Sequence, residues 1–296
     1  MDRTDDCVML RSLRGAVNPL FCQSRHGRPA ASLNRPVETE PGDLGPWLRT
    51  VLVGRTSSFH ASIGSTQDEA RRLARAGAPH GHLVWANTQT SGRGRMARRW
   101  YSAPGSGLWF SVVLRPGRPA AAVVALPLAT GAAVGAALDR FAPGSIRLKW
   151  PNDVLLGGRK VAGILVEAQT HGGVVDHVVV GIGINLRRPR EGFDAEIGET
   201  AAALAEVAPG ASPPAVLAAV LEELENAYEE LLAHGPATAR QGWLALADTV
   251  GRDVVANAAG EVIRGRAVDL DEAGNLVVER DGKRHVVTYG EVEHLR

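Results

Sequence analysis

Residues 146–168 read IRLKWPNDVLLGGRKVAGILVEA, and the way this stretch divides decides the fold. Ile146 to Trp150 and Val154 to Leu156 are short apolar runs of strand character flanking the turn tripeptide Pro151-Asn152-Asp153. A third such run, Ala162 to Ala168, comes soon after. Adjacent strands in a region that also contains helices point to an α+β fold, a mixed central sheet with helices packed on it. The same stretch carries Lys149 and Lys160. The chain has 33 basic residues, yet only three are lysines, Lys149, Lys160 and Lys283. A lysine ammonium is a compact point charge that fits between two anionic groups where a broad guanidinium does not. Two lysines here, in a chain that otherwise uses arginine, suggest a chemical demand. Chance clustering gives the same picture, and Asn152 and Asp153 are also ordinary turn residues.

Working outward, the N-terminal side contains a helix from Ala120 to about Phe141 and a strand from Leu108 to Leu114. Before them lie a polar, glycine-rich loop from Gln89 to Arg99 and a strand from Leu83 to Ala86. Ser65-Thr66-Gln67-Asp68-Glu69 reads as a capping box through Thr66 and Glu69, opening a helix that stops near Gly77. On the C-terminal side, Val174 to Ile184 is a strand running into a Gly-Ile-Gly-Ile-Asn loop. Ser212 and Pro213 open a long helix whose apolar face is Leu217, Val220, Leu221, Leu224, Tyr228, Leu231 and Leu232, ended by Gly235. From Gly251 the texture changes to short alternating strands: Val254-Val255, Val262-Ile263, Ala267-Val268, Leu276 to Val278 and Val286-Val287. Such a run makes a small antiparallel barrel. Residues 1–50, with five prolines and no sustained period, read as a disordered tail without the three short helices of a DNA-binding helix-turn-helix. The expected domains are a 1–50 tail, a 51–247 catalytic domain and a 248–296 barrel.

Composition narrows the class. The formal net charge of +1 makes the chain no general binder of nucleic acid, so any basic site is local. Cys7 and Cys22, the only cysteines, show neither metal-ligand spacing nor a disulfide framework. A reducing cytoplasm is the default compartment. The longest apolar run, Ala120 to Leu138, is interrupted by Pro127 and reads as a core helix rather than a membrane span, and no signal peptide is visible.

The loop Gly92-Arg93-Gly94-Arg95-Met96-Ala97-Arg98-Arg99-Trp100 is the second chemical feature. Glycines allow close backbone approach and an anion-binding nest, and arginines supply forked donors for phosphate or carboxylate. Alone, it reads rather as a solvated surface loop or an RGG-like nucleic-acid contact. With Lys149-Trp150-Pro151-Asn152-Asp153 and Arg159-Lys160 to Glu167, in this order, it resembles the GRGRxxRxW loop and KWPND...RKxxGILxE signature of biotin protein ligases. Ser65-Thr66-Gln67 resembles the Ser-Thr-Asn that opens the pocket in that family, with Gln67 in place of Asn. Gly181 to Leu186 resembles its GxGIN segment, and the run ending Gly290 to Arg296 its small SH3-like domain. The resemblance covers about residues 55 to 296.

The resemblance implies a fold of the biotin/lipoate ligase type, like class II aminoacyl-tRNA synthetases, plus an SH3-like barrel. It implies a member without the N-terminal DNA-binding domain. Ser65, Thr66, Gln67 and Gln89 would line a biotin pocket, with Arg93, Gly94 and Arg95 on the loop that orders over the ligand. Trp100 would form an apolar wall, although a plain core role fits it equally. Lys160 would contact the biotin carboxylate and the α-phosphate and, with Arg93 and Arg95, carry catalysis. Arg98, Lys149, Asn152 and Asn185 would complete the ATP site. Biotin, ATP and Mg²⁺ would be required, the Mg²⁺ arriving with ATP rather than held by protein ligands. The acceptor would be a biotin carboxyl carrier domain of a carboxylase; neither nucleic acid nor membrane is expected as partner, and a homodimer stays open. Three rivals remain at this point: a lipoate ligase of similar fold, a biotin-responsive DNA-binding repressor, and an inactive module using the same pocket.

Overall fold

In the computed structural model, which describes residues 44–258, 261–288 and 290–295, the 146–168 stretch folds into three adjacent antiparallel strands of a seven-stranded sheet. In chain order the strands are β1 (Ser57–His60), β2 (His82–Ala86), β3 (Gly107–Leu114), β4 (Ile146–Lys149), β5 (Asp153–Leu156), β6 (Arg159–His171) and β7 (Val174–Asn185). They lie in the order β1-β2-β3-β7-β6-β5-β4. β1 is parallel to β2 and every other pair is antiparallel, so the sheet is mixed. Helix α1 (Thr66–Arg75) covers part of one face, and α2 (Leu126–Asp139), α3 (Pro213–His234) and α4 (Pro236–Ala245) pack at the other.

The period of two explains this layering. On β3 and β7, Val112, Leu114, Val178 and Val180 join the large core with Leu217 and Val220 of α3. One residue out of step, Val113 and Val179 pack with Val84 beneath Ala70 and Ala74 of α1. Both central strands are therefore buried on both faces. α2 is apolar on nearly all sides, as a helix enclosed by protein should be. Ala120–Asp139 has the length and mean hydropathy, 2.0, to cross a bilayer, but 67% of that window is buried inside the protein.

Several boundaries differ from the sequence reading. The expected helix from Ala120 is broken: a short 3₁₀ turn at Ala120–Val123 precedes α2, with Pro127 in its first turn. Proline lacks the amide donor, which only the first turn of a helix can spare. Ser212 occupies the N-cap of α3, but its hydroxyl makes no capping bond. α4 was not foreseen; Gly235, at φ 81°, ends α3 and Pro236 starts α4 at once. The tail does not extend to residue 50. Leu44 is 4% exposed within the main core and Thr50 2% exposed, so ordered packing starts at least seven residues earlier than expected. That stretch is too short to display a period. The residues just after it are held by a buried carboxylate on α3: Glu225 accepts hydrogen bonds from the amides of Val51, Leu52 and Val53 at 2.6, 2.7 and 2.8 Å. The expected disorder of residues 1–43 lies outside the described residues.

The C-terminal strands are β8 (Asp253–Ala258), β9 (Glu261–Leu270), β10 (Leu276–Arg280), β11 (Lys283–Val287) and β12 (Glu291–His294). They form an antiparallel sheet in the order β11-β10-β9-β8-β12, the SH3-like domain. Val262-Ile263 and Ala267-Val268, read as separate pieces, are one strand, β9. The domain is tied to the catalytic sheet beside the 146–168 stretch. Trp150 Nε1 donates to the carbonyl of Gly274 at 3.0 Å, and the Trp150 amide donates to Thr249 Oγ1 at 2.9 Å.

Candidate functional site

On the α1 face of the sheet, beyond the end that α1 covers, lies a cavity of about 960 Å³. Its floor is recessed because the facing strands carry glycine there. In register across the sheet, Gly163 of β6 sits beside Gly183 of β7, which sits beside Trp109 of β3; Gly181 sits beside Ser111. The indole of Trp100 lies on this floor. A Cβ at Gly163 or Gly183 would come within 2.6 or 2.5 Å of the Trp100 ring, inside van der Waals contact. The Gly-Ile-Gly-Ile-Asn segment, expected as a loop, is the end of strand β7. Its glycines make room for a side chain lying across the sheet. Trp100 is thus half-buried cavity wall, edge-on to Trp109 at 6.2 Å between ring centroids.

One end of the cavity is a polar cluster built by the start of α1. The N-cap is Ser65, whose Oγ accepts from the Asp68 amide at 3.4 Å, and not Thr66 as the capping-box reading had it. Thr66 and Gln67 are thereby turned inward and buried. Gln89 Oε1 accepts from the Thr66 amide at 2.8 Å and from Thr66 Oγ1 at 3.2 Å, while Gln89 Nε2 donates to Ser102 Oγ at 2.9 Å. Ser111 Oγ lies 3.0 Å from Thr66 Oγ1 and 3.1 Å from Gln67 Oε1.

Further along the cavity is Lys160. Its Nζ pairs with Asp153 Oδ1 at 2.6 Å and stands 5.2 Å from the centroid of the Trp100 ring. Lys149 is the register partner of Asp153 on the neighbouring strand. Asn152 donates to the Ile164 carbonyl at 2.8 Å and accepts from Arg95 at 3.3 Å. Asn185 is buried and donates to the Ala202 carbonyl at 3.1 Å, fixing the segment that walls this end.

The loop 92–100 folds back on itself: the Trp100 amide donates to the Gly92 carbonyl at 2.9 Å and the Gly94 amide to the Arg98 carbonyl at 2.8 Å. At its tip Met96 and Ala97 adopt φ of 52° and 59°, the left-handed region that costs non-glycine residues energy and clusters at functional sites. Arg93 donates to Asp68 Oδ1 at 2.7 Å, and that bond, with the nearby Asp68 and Glu167 charges, raises its pKa. Arg95 faces the cavity. Burial lowers its pKa, against the pull of Asp153 and Glu291, so its charge is under-solvated and favours an anion. Arg98 pairs with Glu291 of β12 at 2.5 Å, bringing the SH3-like domain to the cavity rim.

All thirteen site residues expected from the sequence line this one cavity. The sequence reading missed Ser102, Ser111, Asp153 and His294, which also line it or hold its lining residues. For Asp153 the signal was present, an acid adjoining the lysine motif, but turn propensity explained it. Nothing local marks the serines, which reach the site only through strand pairing.

Comparison with known proteins bears on the family and the fold. Residues 60–185 match the model of the biotin/lipoate A/B protein ligase family, and residues 249–295 that of the biotin protein ligase C-terminal domain. A biotin--[acetyl-CoA-carboxylase] ligase of Paracoccus denitrificans is 34% identical over 236 residues, 78% of this chain and 98% of the relative. The bifunctional ligase/repressor BirA of Bacillus subtilis is 33% identical over 248 residues, 83% of this chain and 76% of the relative. The structure of biotin protein ligase from Aquifex aeolicus in complex with biotin and ATP superposes with a TM-score of 0.70 at 28% identity, covering 82% of this chain and 99% of that one. Fold, cavity and relatives converge: the chain belongs to the biotin protein ligases of the biotin/lipoate A/B protein ligase family.

Proposed function

We propose that this cavity holds biotin and ATP side by side and joins them, making the chain an ATP-dependent ligase that biotinylates a lysine of a biotin carboxyl carrier domain. The observation that carries the reading is the ammonium of Lys160, held by Asp153 and near the Trp100 ring, in one cavity with a neutral polar cluster and a set of cationic side chains. The neutral cluster of Ser65, Thr66, Gln89 and Ser111 suits the ureido ring of biotin, which offers both donors and an acceptor. Trp100 supplies an apolar wall for the ring and tail. Arg95, Arg98, Lys149, Asn152 and Asn185 suit the phosphates and nucleoside.

In the first step an oxygen of the biotin carboxylate attacks the α-phosphorus of MgATP, the bond to the β-phosphate oxygen breaks, and pyrophosphate leaves. Negative charge gathers around the α-phosphorus, where Lys160 and Arg95 stabilise it. The acceptor's neutral lysine amine then attacks the carbonyl of biotinyl-AMP, an amide forms, and AMP and a proton depart. Of the carboxylates lining the cavity, Asp153 and Glu291 are ion-paired with Lys160 and Arg98, and among the described residues no cluster of three or more carboxylates, histidines or cysteines could hold a metal ion, so Mg²⁺ would be carried by the phosphates as part of the substrate. The proposed compartment is the cytoplasm.

The family membership favours biotin over lipoate, and the catalytic constellation favours an enzyme over a binding module. Pyrophosphate release settles both: it should require biotin, proceed without any acceptor protein, and remain at background with lipoate. Release with lipoate in preference to biotin would replace this reading with the lipoate one. No release with either would leave only a binding module.

A further inference from the structure

Gln67 is 3% exposed and borders the cavity, but both atoms of its terminal amide are taken up by protein partners. It passes over Gly181, where a Cβ would lie 2.3 Å from Gln67 Oε1, so the absence of a side chain on β7 is what admits it. Its amide is then fully engaged beneath the sheet surface. Oε1 lies 3.1 Å from Ser111 Oγ; Nε2 donates to Glu167 Oε2 at 2.9 Å and to the Val179 carbonyl at 3.3 Å. Glu167, two residues beyond the cavity-lining Leu165 on β6, carries the connection outward. Its Oε1 is 3.8 Å from an Arg93 guanidinium nitrogen, and its Oε2 is 3.6 Å from Arg71 Nε. Arg93 is also bonded to Asp68, the residue next to Gln67 on α1. A continuous path of polar contacts thus runs from the ligand end of the cavity, through Gln67 and Glu167, to the first arginine of the 92–100 loop.

We propose that Gln67 is a positioning residue and not a ligand contact: with Gly181 making room for it, Gln67 fixes the carboxylate of Glu167, which together with Asp68 holds Arg93 and so anchors the base of the loop that closes over the reactive intermediate. The length of the side chain matters. An asparagine at this position is one methylene shorter and cannot span the same distance to Glu167, so the carboxylate would be free to turn towards Arg71. The loop base would then be held by Asp68 alone, an exposed pair of small worth. Loss of Arg93 anchoring lets the loop open more often, and each opening admits water or releases the acyl-adenylate.

The inference rests on the reading that the cavity makes biotinyl-AMP, and its test has one arm that does not depend on that reading. In the unliganded protein, trypsin cutting within the 92–100 loop reports how often the loop opens. Gln67→Asn and Glu167→Gln should each raise the cutting rate several-fold, Glu167→Gln at an unchanged melting temperature, and the double variant should be no faster than the faster single one, because both changes break one path. Glu167→Gln tests the path even where Gln67→Asn lowers stability, since Glu167 is partly exposed. In the second arm, Glu167→Gln, whose side chain lies outside the cavity lining, should form adenylate from biotin with near-normal KM but release it into solution faster, labelling lysines of bystander proteins. Unchanged loop cutting in both variants overturns the proposal, as does a Gln67→Asn variant that raises the KM for biotin while retaining adenylate normally. If the wild-type protein makes no adenylate, the functional reading fails, and the cutting rates alone still decide whether Gln67 and Glu167 anchor the loop.

Discussion

At the residue scale, the site turns on the shapes of two side chains. Lys160 stands in a tight place: a Cβ on Gly163 would already come within 3.1 Å of Lys160 Cε, and Asp153 holds its ammonium at 2.6 Å. An arginine keeps the charge but spreads it over a plane too broad for this gap. Lys160→Arg should therefore lower the rate of adenylate formation by orders of magnitude, about 3 kcal/mol of transition-state stabilisation or more, in a protein that remains folded. Single-turnover formation near the wild-type rate would remove Lys160 from the chemistry. Gly183 is the complementary case. Gly183→Ala drives a methyl into the Trp100 ring at 2.5 Å, and the ring, half-exposed, yields sooner than the strand. Overpacking of this kind costs about 1–3 kcal/mol. The KM for biotin should rise well over tenfold while kcat changes less; equal and small effects on both would mean that Trp100 is not a ligand wall. Residues of this kind were legible to different degrees. Lys160 stood out against an arginine-rich background. Trp100 could not be told from a core tryptophan, because only the register of β6 and β7 places two glycines beneath it.

At the element scale, α1 and α3 show how the frame holds the site. The sequence located both helices by cap residues and period, but it mistook which residue caps α1 and passed over α4. Side-chain hydroxyls at a helix start compete for the same amides, and only the tertiary partner of Thr66, the Gln89 amide, decides that Ser65 takes the cap. On α3, a buried glutamate was invisible as an anchor because its three partners lie more than 170 residues away. Glu225→Ala strips the acceptor from the amides of Val51, Leu52 and Val53. Val51 and Leu52 are exposed and can turn to water, whereas Val53 is fully buried. One unsatisfied buried donor costs ~1–3 kcal/mol, so denaturant unfolding should show a loss of about 2 kcal/mol. The ligase rate per folded molecule should be unchanged. A stability equal to wild type would show that this contact contributes nothing.

At the scale of the whole molecule, the SH3-like domain belongs to the working enzyme. β12 brings Glu291 to Arg98, and His294 reaches back across the junction: its Nε2 is 3.1 Å from Thr249 Oγ1, which also receives the Trp150 amide, and its Nδ1 is 3.5 Å from Asp248. Burial lowers the pKa of His294, with the Lys149 and Arg252 charges acting the same way and Asp248 opposing them. Burial likewise lowers those of His80 and His82. A histidine depressed in the fold stays neutral there while the unfolded chain takes up protons near its ordinary value, 6.5. Its stabilisation is therefore complete above that pH and is lost as the pH falls below it through the folded value. The melting temperature should be flat from about pH 8 to 7 and decline below about 6.5. His294→Asn, which retains a partner for Thr249, should make that decline shallower; an identical profile would clear His294 of any part in it. The barrel was legible in the sequence as a class, from alternating residues and turn signals. Its contribution to the cavity was not, because Glu291 reaches Arg98 by a tertiary contact between residues 193 positions apart.

Activation of biotin as an adenylate in this cavity, and its transfer to a lysine, can be observed in a single reaction. The protein is incubated with ATP, Mg²⁺, biotin and a biotin carboxyl carrier domain, and the carrier is weighed by mass spectrometry. One biotinyl addition per carrier is expected, on one lysine, dependent on ATP and abolished when that lysine is replaced. A carrier of unchanged mass, with the enzyme folded and both substrates present, would contradict the assignment.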